Sequence, residues 1–98
     1  MNFNVKTDND RMVIELEGRL DTMTSPQLDE FLHTYLGGVK QLVFDLSRLE
    51  YISSAGLRVL LYAHKTVSRN GNMIVIGCSE EVTEIFDITG FSDIMDIR

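Results

Sequence analysis

The chain has 98 residues, nine Lys and Arg against fifteen Asp and Glu, a net charge of −6 and a pI near 4.7. That balance excludes the clustered basic surface that a nucleic acid or an anionic membrane requires, so a protein partner is expected, with no nucleic acid and no membrane. No apolar run approaches the roughly 20 residues that span a bilayer, the N-terminus shows no signal peptide pattern, and the lone Cys78 cannot form an internal disulfide and suits the cytosol. The composition, 44% hydrophobic and 24% charged, fits one globular domain over residues 1–98.

In chain order, a strand is predicted over Phe3–Thr7, then a tight turn at Asp8-Asn9-Asp10 and a second strand over Met12–Glu17, with Met12, Ile14 and Leu16 on one face. Thr24 or Ser25 is the expected N-cap of the first helix, with Pro26 at its first position. Leu28, Phe31, Leu32, Tyr35 and Leu36 recur at helical spacing, and Gly37-Gly38 stops the helix. Gln41–Leu46 reads as a third strand, apolar enough to be covered on both faces. It is expected to run into a polar turn.

A second helix is predicted from about Ser54 to Arg69, with Leu57, Leu60, Leu61, Ala63 and Val67 inward and Arg58, Tyr62, Lys65 and Arg69 outward. Asn70-Gly71 ends it, and Asn72–Ile76 is the fourth strand. Ser79 caps a third helix, Glu80 and Glu81 complement its dipole, and Val82, Ile85 and Phe86 face inward up to Gly90. A short last strand falls near Ile94–Ile97. Strands alternating with helices specify an α/β layer fold: a mixed, mostly parallel sheet of four to five strands, opened by a hairpin, with three to four helices.

The most informative stretch is Asp45-Leu-Ser-Arg-Leu-Glu-Tyr-Ile-Ser-Ser-Ala-Gly-Leu-Arg-Val-Leu-Leu61. It sets a serine hydroxyl at the mouth of a helix, where unpaired N–H groups and the dipole accept an added phosphate. Read alone, Ser54 is an N-cap. Gly56 would let a partner's backbone come close. The stretch Val43-Phe44-Asp45-Leu46-Ser47, with Leu49, Tyr51-Ile52, Ser54, Gly56-Leu57 and Val59-Leu60-Leu61, resembles the STAS domain of bacterial anti-sigma factor antagonists. Gly18-Arg19-Leu20-Asp21 is similar to that family's turn before the first helix. Phe86-Asp87-Ile88-Thr89-Gly90-Phe91 is similar to its segment near the C-terminus. Ser53 stands where the family usually has Asp, and Ala55 where it has a second Ser or Thr.

The resemblance implies the STAS fold and a partner-switching cycle. The unmodified protein binds an anti-sigma factor that is also a serine kinase, which releases a sigma factor. Phosphorylation of Ser54 from ATP ends that binding, and a PP2C-type phosphatase restores it. It further implies that Asp21 sits beside the serine loop and contributes to partner contact. The expected partner-binding set is Asp21, Ser53, Ser54, Ala55, Gly56, Arg58, Tyr62 and Lys65. Ser53 is placed either to cap the helix in the missing Asp's stead or to be an alternative acceptor. The protein is expected to be cytoplasmic, a monomer or weak dimer, with no cofactor.

Two rivals carry different mechanisms. A constitutive STAS adaptor, such as a subunit of a lipid-transport complex, would leave Ser54 unmodified. An enzyme would use the Ser54 loop to hold a phosphorylated substrate, but no catalytic base is recognisable. Asp45 and Asp21 invite an acid-pair reading, yet Asp45 more naturally bonds turn N–H groups. A phosphoaspartate receiver would need an acidic pair at its first strand and a late strand ending in Lys, both missing. His33 and His64 lie in different helices without metal-ligand spacing, and His64 reads as a satisfied, semi-buried side chain. Cys78 reads as a small buried residue.

Overall fold

The computed structural model describes residues 1–98. Its elements are β1 (Asn2–Asp8), β2 (Arg11–Leu20), α1 (Ser25–Tyr35), β3 (Gln41–Ile52), α2 (Ser54–Val67), β4 (Asn72–Ile76), α3 (Glu80–Thr89), a 3-10 turn (Phe91–Asp93) and β5 (Asp96–Ile97). The strands lie in chain order across one sheet. β1 pairs antiparallel with β2, and β2, β3, β4 and β5 run parallel. The expected mixed sheet with an opening hairpin is therefore present.

Because each parallel strand is added on the same side of its predecessor, right-handed crossovers carry all the helices to one face of the sheet. Burial agrees. Met12, Leu42 and Met73 are in register, as are Ile14, Phe44 and Val75, and all six belong to one core cluster with Leu28 and Leu32 of α1, Leu60 and Ala63 of α2, and Val82 and Phe86 of α3. The other face carries Val13, Val43 and Ile74. Val43 is buried but stands outside that cluster, so the apolar run of β3 is shielded on both faces, as expected, with the helices on one of them. Its central position in the sheet, between half-buried Val13 and Ile74, is what shields it.

The polar turn expected after Leu46 is also corrected: β3 continues to Ile52 beside an equally extended β2. The pairing jumps from Glu15↔Asp45 to Glu17↔Arg48, and from Gly18↔Leu49 to Arg19↔Tyr51, so β3 carries an extra residue at each step. These bulges change the inward period from two to three and keep Leu46, Leu49 and Ile52 all buried. Asp45 holds the first bulge, its carboxylate accepting the backbone N–H of Ser47 at 3.0 Å and the Ser47 hydroxyl at 2.7 Å. Asp45 lies opposite Glu15, whereas Asp21 follows Leu20, which pairs with Ile52 at the far end of β3, so Asp45 and Asp21 do not form a pair.

Pro26 is the second residue of α1, not its first. α2 ends at Val67, leaving Arg69 in the following turn, which Gly71 closes so tightly that a Cβ there would overlap the Lys40 carbonyl. Ser79 caps α3 by accepting the Val82 N–H, and Gly90 ends it in the left-handed conformation, φ +80°.

Candidate partner-binding face at the serine loop

The parallel strands β2 and β3 finish together, Leu20 opposite Ile52. One further hydrogen bond, from the Ser53 N–H to the Leu20 carbonyl at 2.9 Å, stitches the serine loop to the start of the Asp21 turn. The two segments singled out from the sequence therefore share one end of the sheet, where open α/β sheets place their sites.

The cap of α2 is Ser53, not Ser54. Ser53 has extended backbone, its hydroxyl accepts the Gly56 N–H at 3.4 Å, and its carbonyl accepts the Leu57 N–H at 2.9 Å. The structure thus corrects the N-cap reading of Ser54. Ser54 is the first helical residue and its side chain is exposed. The amides of this first turn have no acceptor within the helix. Gly56 is buried beneath them. A Cβ on it would come within 2.8 Å of Ile52 Cγ1, Leu20 Cγ and the Leu20 carbonyl oxygen. The missing side chain lets α2 settle onto the strand ends, so Gly56 is withdrawn from the set open to a partner's backbone.

Asp21 builds the neighbouring turn. Its carboxylate accepts the N–H groups of Met23 at 3.0 Å and Thr24 at 3.1 Å and the Thr24 hydroxyl at 3.2 Å, and Arg19 Nε lies 3.7 Å away. Desolvation pushes the carboxyl up, but the Thr24 and Met23 amides, the Thr24 hydroxyl and the Arg19 charge outweigh it and hold the group below its ordinary value. Thr24 precedes α1 but makes no side-chain cap; its hydroxyl is spent on Arg19 and Asp21. Arg19 also lies over the Tyr51 ring, 4.3 Å from its centre. At the tip of this turn Met23 is 88% exposed.

Between α1 and α2 runs an open groove of about 300 Å³, lined on one side by Thr22, Ser25, Pro26 and Asp29 and on the other by Ala55, Arg58 and Val59. The Ser25 hydroxyl in its wall is buried and finds no partner. A larger hollow of about 480 Å³ around Asn4, Glu15, Asp45 and Arg48 does not include the serine loop.

The outward stripe of α2 is divided. Arg58 and Lys65 are exposed and neither is in an ion pair. Tyr62 is half-buried, and its ring stacks on His33 of α1, centres 4.1 Å apart and planes 7° from parallel. It therefore joins the two helices as well as facing out. His33 Nδ1 lies 3.4 Å from the Asp29 carboxylate. His64 is half-buried as expected, but its Nδ1 is enclosed without a hydrogen-bond partner, so it is not satisfied. Cys78 is half-buried, and desolvation raises its thiol above the ordinary value. No group of three or more His, Cys, Asp or Glu is arranged to hold a metal.

Met23, Tyr51, Ser25 and Asp29 were not singled out from the sequence as partner-facing. A large apolar side chain between Thr22 and Thr24 in a polar turn was the one available signal.

A STAS domain model matches residues 2–98, and the chain belongs to that family. Among its relatives is an anti-sigma-B factor antagonist of Listeria monocytogenes, 35% identical, the match covering 93% of this chain and 82% of that one. The fold is shared with an anti-sigma factor antagonist from Mycobacterium paratuberculosis (21% identity, TM-score 0.88, 98% of this chain and 83% of that one). It is also shared with the Bacillus cell fate determinant SpoIIAA in its phosphorylated form (22% identity, TM-score 0.77, 99% of this chain and 91% of that one).

Proposed function

We propose that this protein is an anti-sigma factor antagonist switched by phosphorylation of Ser54. One observation carries the reading: Ser53 does the capping, which leaves the Ser54 hydroxyl free and exposed at a helix N-terminus. The unmodified protein binds a cytoplasmic anti-sigma factor with serine kinase activity and so releases a sigma factor. In the kinase step the γ-phosphoryl group of ATP passes to Ser54 Oγ, ADP leaves and the hydroxyl proton goes to a base on the kinase. A PP2C-type phosphatase hydrolyses the ester and resets the cycle. The protein is a substrate and a binding module, not a catalyst. Asp21, Ser54, Ala55, Arg58, Tyr62 and Lys65 form the binding face, with Met23 at its edge, while Ser53 and Gly56 set its shape from within. Its similarity to named anti-sigma-B factor antagonists supports the partner class.

The test is incubation with ATP and an anti-sigma kinase, followed by mass spectrometry and a binding assay. One phosphate on Ser54 and loss of the complex are expected; Ser54→Ala should bind but resist modification. Phosphate on Ser53 or Thr24 with Ser54 clean would sink the assignment. The substitutions of the family pattern at Ser53 and Ala55 favour one alternative, a constitutive adaptor, which would bind its partner stably and gain no phosphate.

A further inference from the structure

Arg58 is an exposed cation with nothing to pair with. Asp29 lines the other wall of the groove but forms no ion pair with Arg58, and Asp21 is taken up by Met23, Thr24 and Arg19. Lys65, the other free cation of α2, lies seven residues further on. Four residues before Arg58 stands Ser54, also exposed and on the same helix. Side chains four apart are neighbours on a helix surface, about 5–6 Å between Cβ atoms, and an acid placed N-terminal to a base is the favourable order. A phosphoserine carries a charge of about −1.5 to −2 and three acceptor oxygens, and the guanidinium fork matches two of them.

We infer that Arg58 is the intramolecular counter-ion of phosphorylated Ser54, so that modification removes the docking cation as well as adding negative charge. The inference rests on the reading of Ser54 as the acceptor. In the unmodified protein Arg58 projects beside the groove, free to meet an acidic group of the partner. Once Ser54 carries phosphate, Arg58 folds back along α2 onto the phosphate oxygens. Its competitor is then tethered one helical turn away, while a partner's carboxylate must arrive from solution. The Ser54 end of α2 turns from cationic to anionic with no change of backbone. Repulsion alone would leave Arg58 available.

The test places phosphoserine at position 54 during translation, so no kinase is required, and follows its ³¹P resonance from pH 4.5 to 8. The second ionisation of such a phosphate is ordinarily near 6. A guanidinium at its side favours the dianion. Arg58→Gln should therefore raise the midpoint by on the order of 0.3 unit, about a twofold change in proton affinity. Arg58→Lys should keep part of the effect and Lys65→Gln should leave it unchanged. His33 and His64 are present in every variant, so whatever they contribute cancels from the comparison. In parallel, Arg58→Gln should weaken partner binding by the unmodified protein and shrink the ratio between unmodified and phosphorylated affinities. Identical ³¹P titrations with and without Arg58 overturn the inference and leave the acceptor assignment standing. A kinase that leaves Ser54 clean overturns the assignment, while the titration still reports on Arg58.

Discussion

Gly56→Ala is the substitution for which helix propensity and packing give opposite answers. Gly56 sits in the first turn of α2, and its φ is not positive, so alanine is conformationally allowed. Propensity alone favours alanine in a helix by about 1 kcal/mol. Packing opposes it. The new methyl would lie 2.8 Å from Leu20 Cγ, Ile52 Cγ1 and the Leu20 carbonyl oxygen, where ordinary contact is 3.4–4 Å. One of those atoms is backbone, and it is the acceptor for the Ser53 N–H. Relief requires α2 to lift away from the strand ends, stretching the bond that joins the serine loop to the Asp21 turn. Overpacking of this kind typically costs about 1–3 kcal/mol, with the stretched bond adding to it, so the net loss is expected at roughly 1–2 kcal/mol. For a chain of this size that lowers the thermal midpoint by roughly 5–15 °C. Thermal unfolding followed by circular dichroism measures it, and binding of the anti-sigma partner should weaken at temperatures where the variant is still folded. A midpoint equal to or above that of the native chain would show that Gly56 is not a packing glycine and that its contact with the strand ends does not hold Ser54 in place.

Leu60→Ala removes a fully buried side chain from the centre of α2 and should cost about 2–5 kcal/mol by denaturation; an unchanged midpoint would mean the helix is rotated from its described orientation. Ser53→Ala should cost roughly 0.5–1 kcal/mol, the low end for a cap because the bond is 3.4 Å, and Ser53→Asp should recover it; equal stability of all three would deny the capping role. Because the Asp21 carboxyl titrates below its unfolded value of 3.8, its contribution is present above that pH and is lost as pH falls through the folded value. Stability of Asp21→Asn should therefore fall less steeply than that of the native chain below about pH 4, and parallel acid-unfolding curves would contradict this.

Local chemistry made much of the fold legible. The alternation Met12, Ile14, Leu16 marked β2 and its inward face, the caps at Ser79 and Gly90 bounded α3, and the heptad-like spacing from Leu28 to Leu36 marked α1. Each is a short-range pattern that a period of two or 3.6 reveals. β3 was readable only to Leu46, because its inward period then changes to three. That spacing suits neither a regular strand nor a helix, and only the pairing with β2 supplies the bulges that make it a strand.

The candidate site divides in the same way. The segment carrying Ser54 and its helix were evident from the chain, whereas the division of labour between Ser53 and Ser54 was not. Either hydroxyl can cap a helix that starts one residue earlier or later, and the choice is made by Gly56, which has to sit against Leu20 and Ile52 for α2 to pack. The same contact buries Gly56, which from the chain alone reads as open to a partner. Likewise the outward angle of Tyr62 on α2 says nothing of His33, twenty-nine residues away in sequence and stacked on it in space. Spacing along one element decides which residues share a face. What each face meets depends on elements distant in the chain, and that was decided only when the strands paired and the helices closed over them.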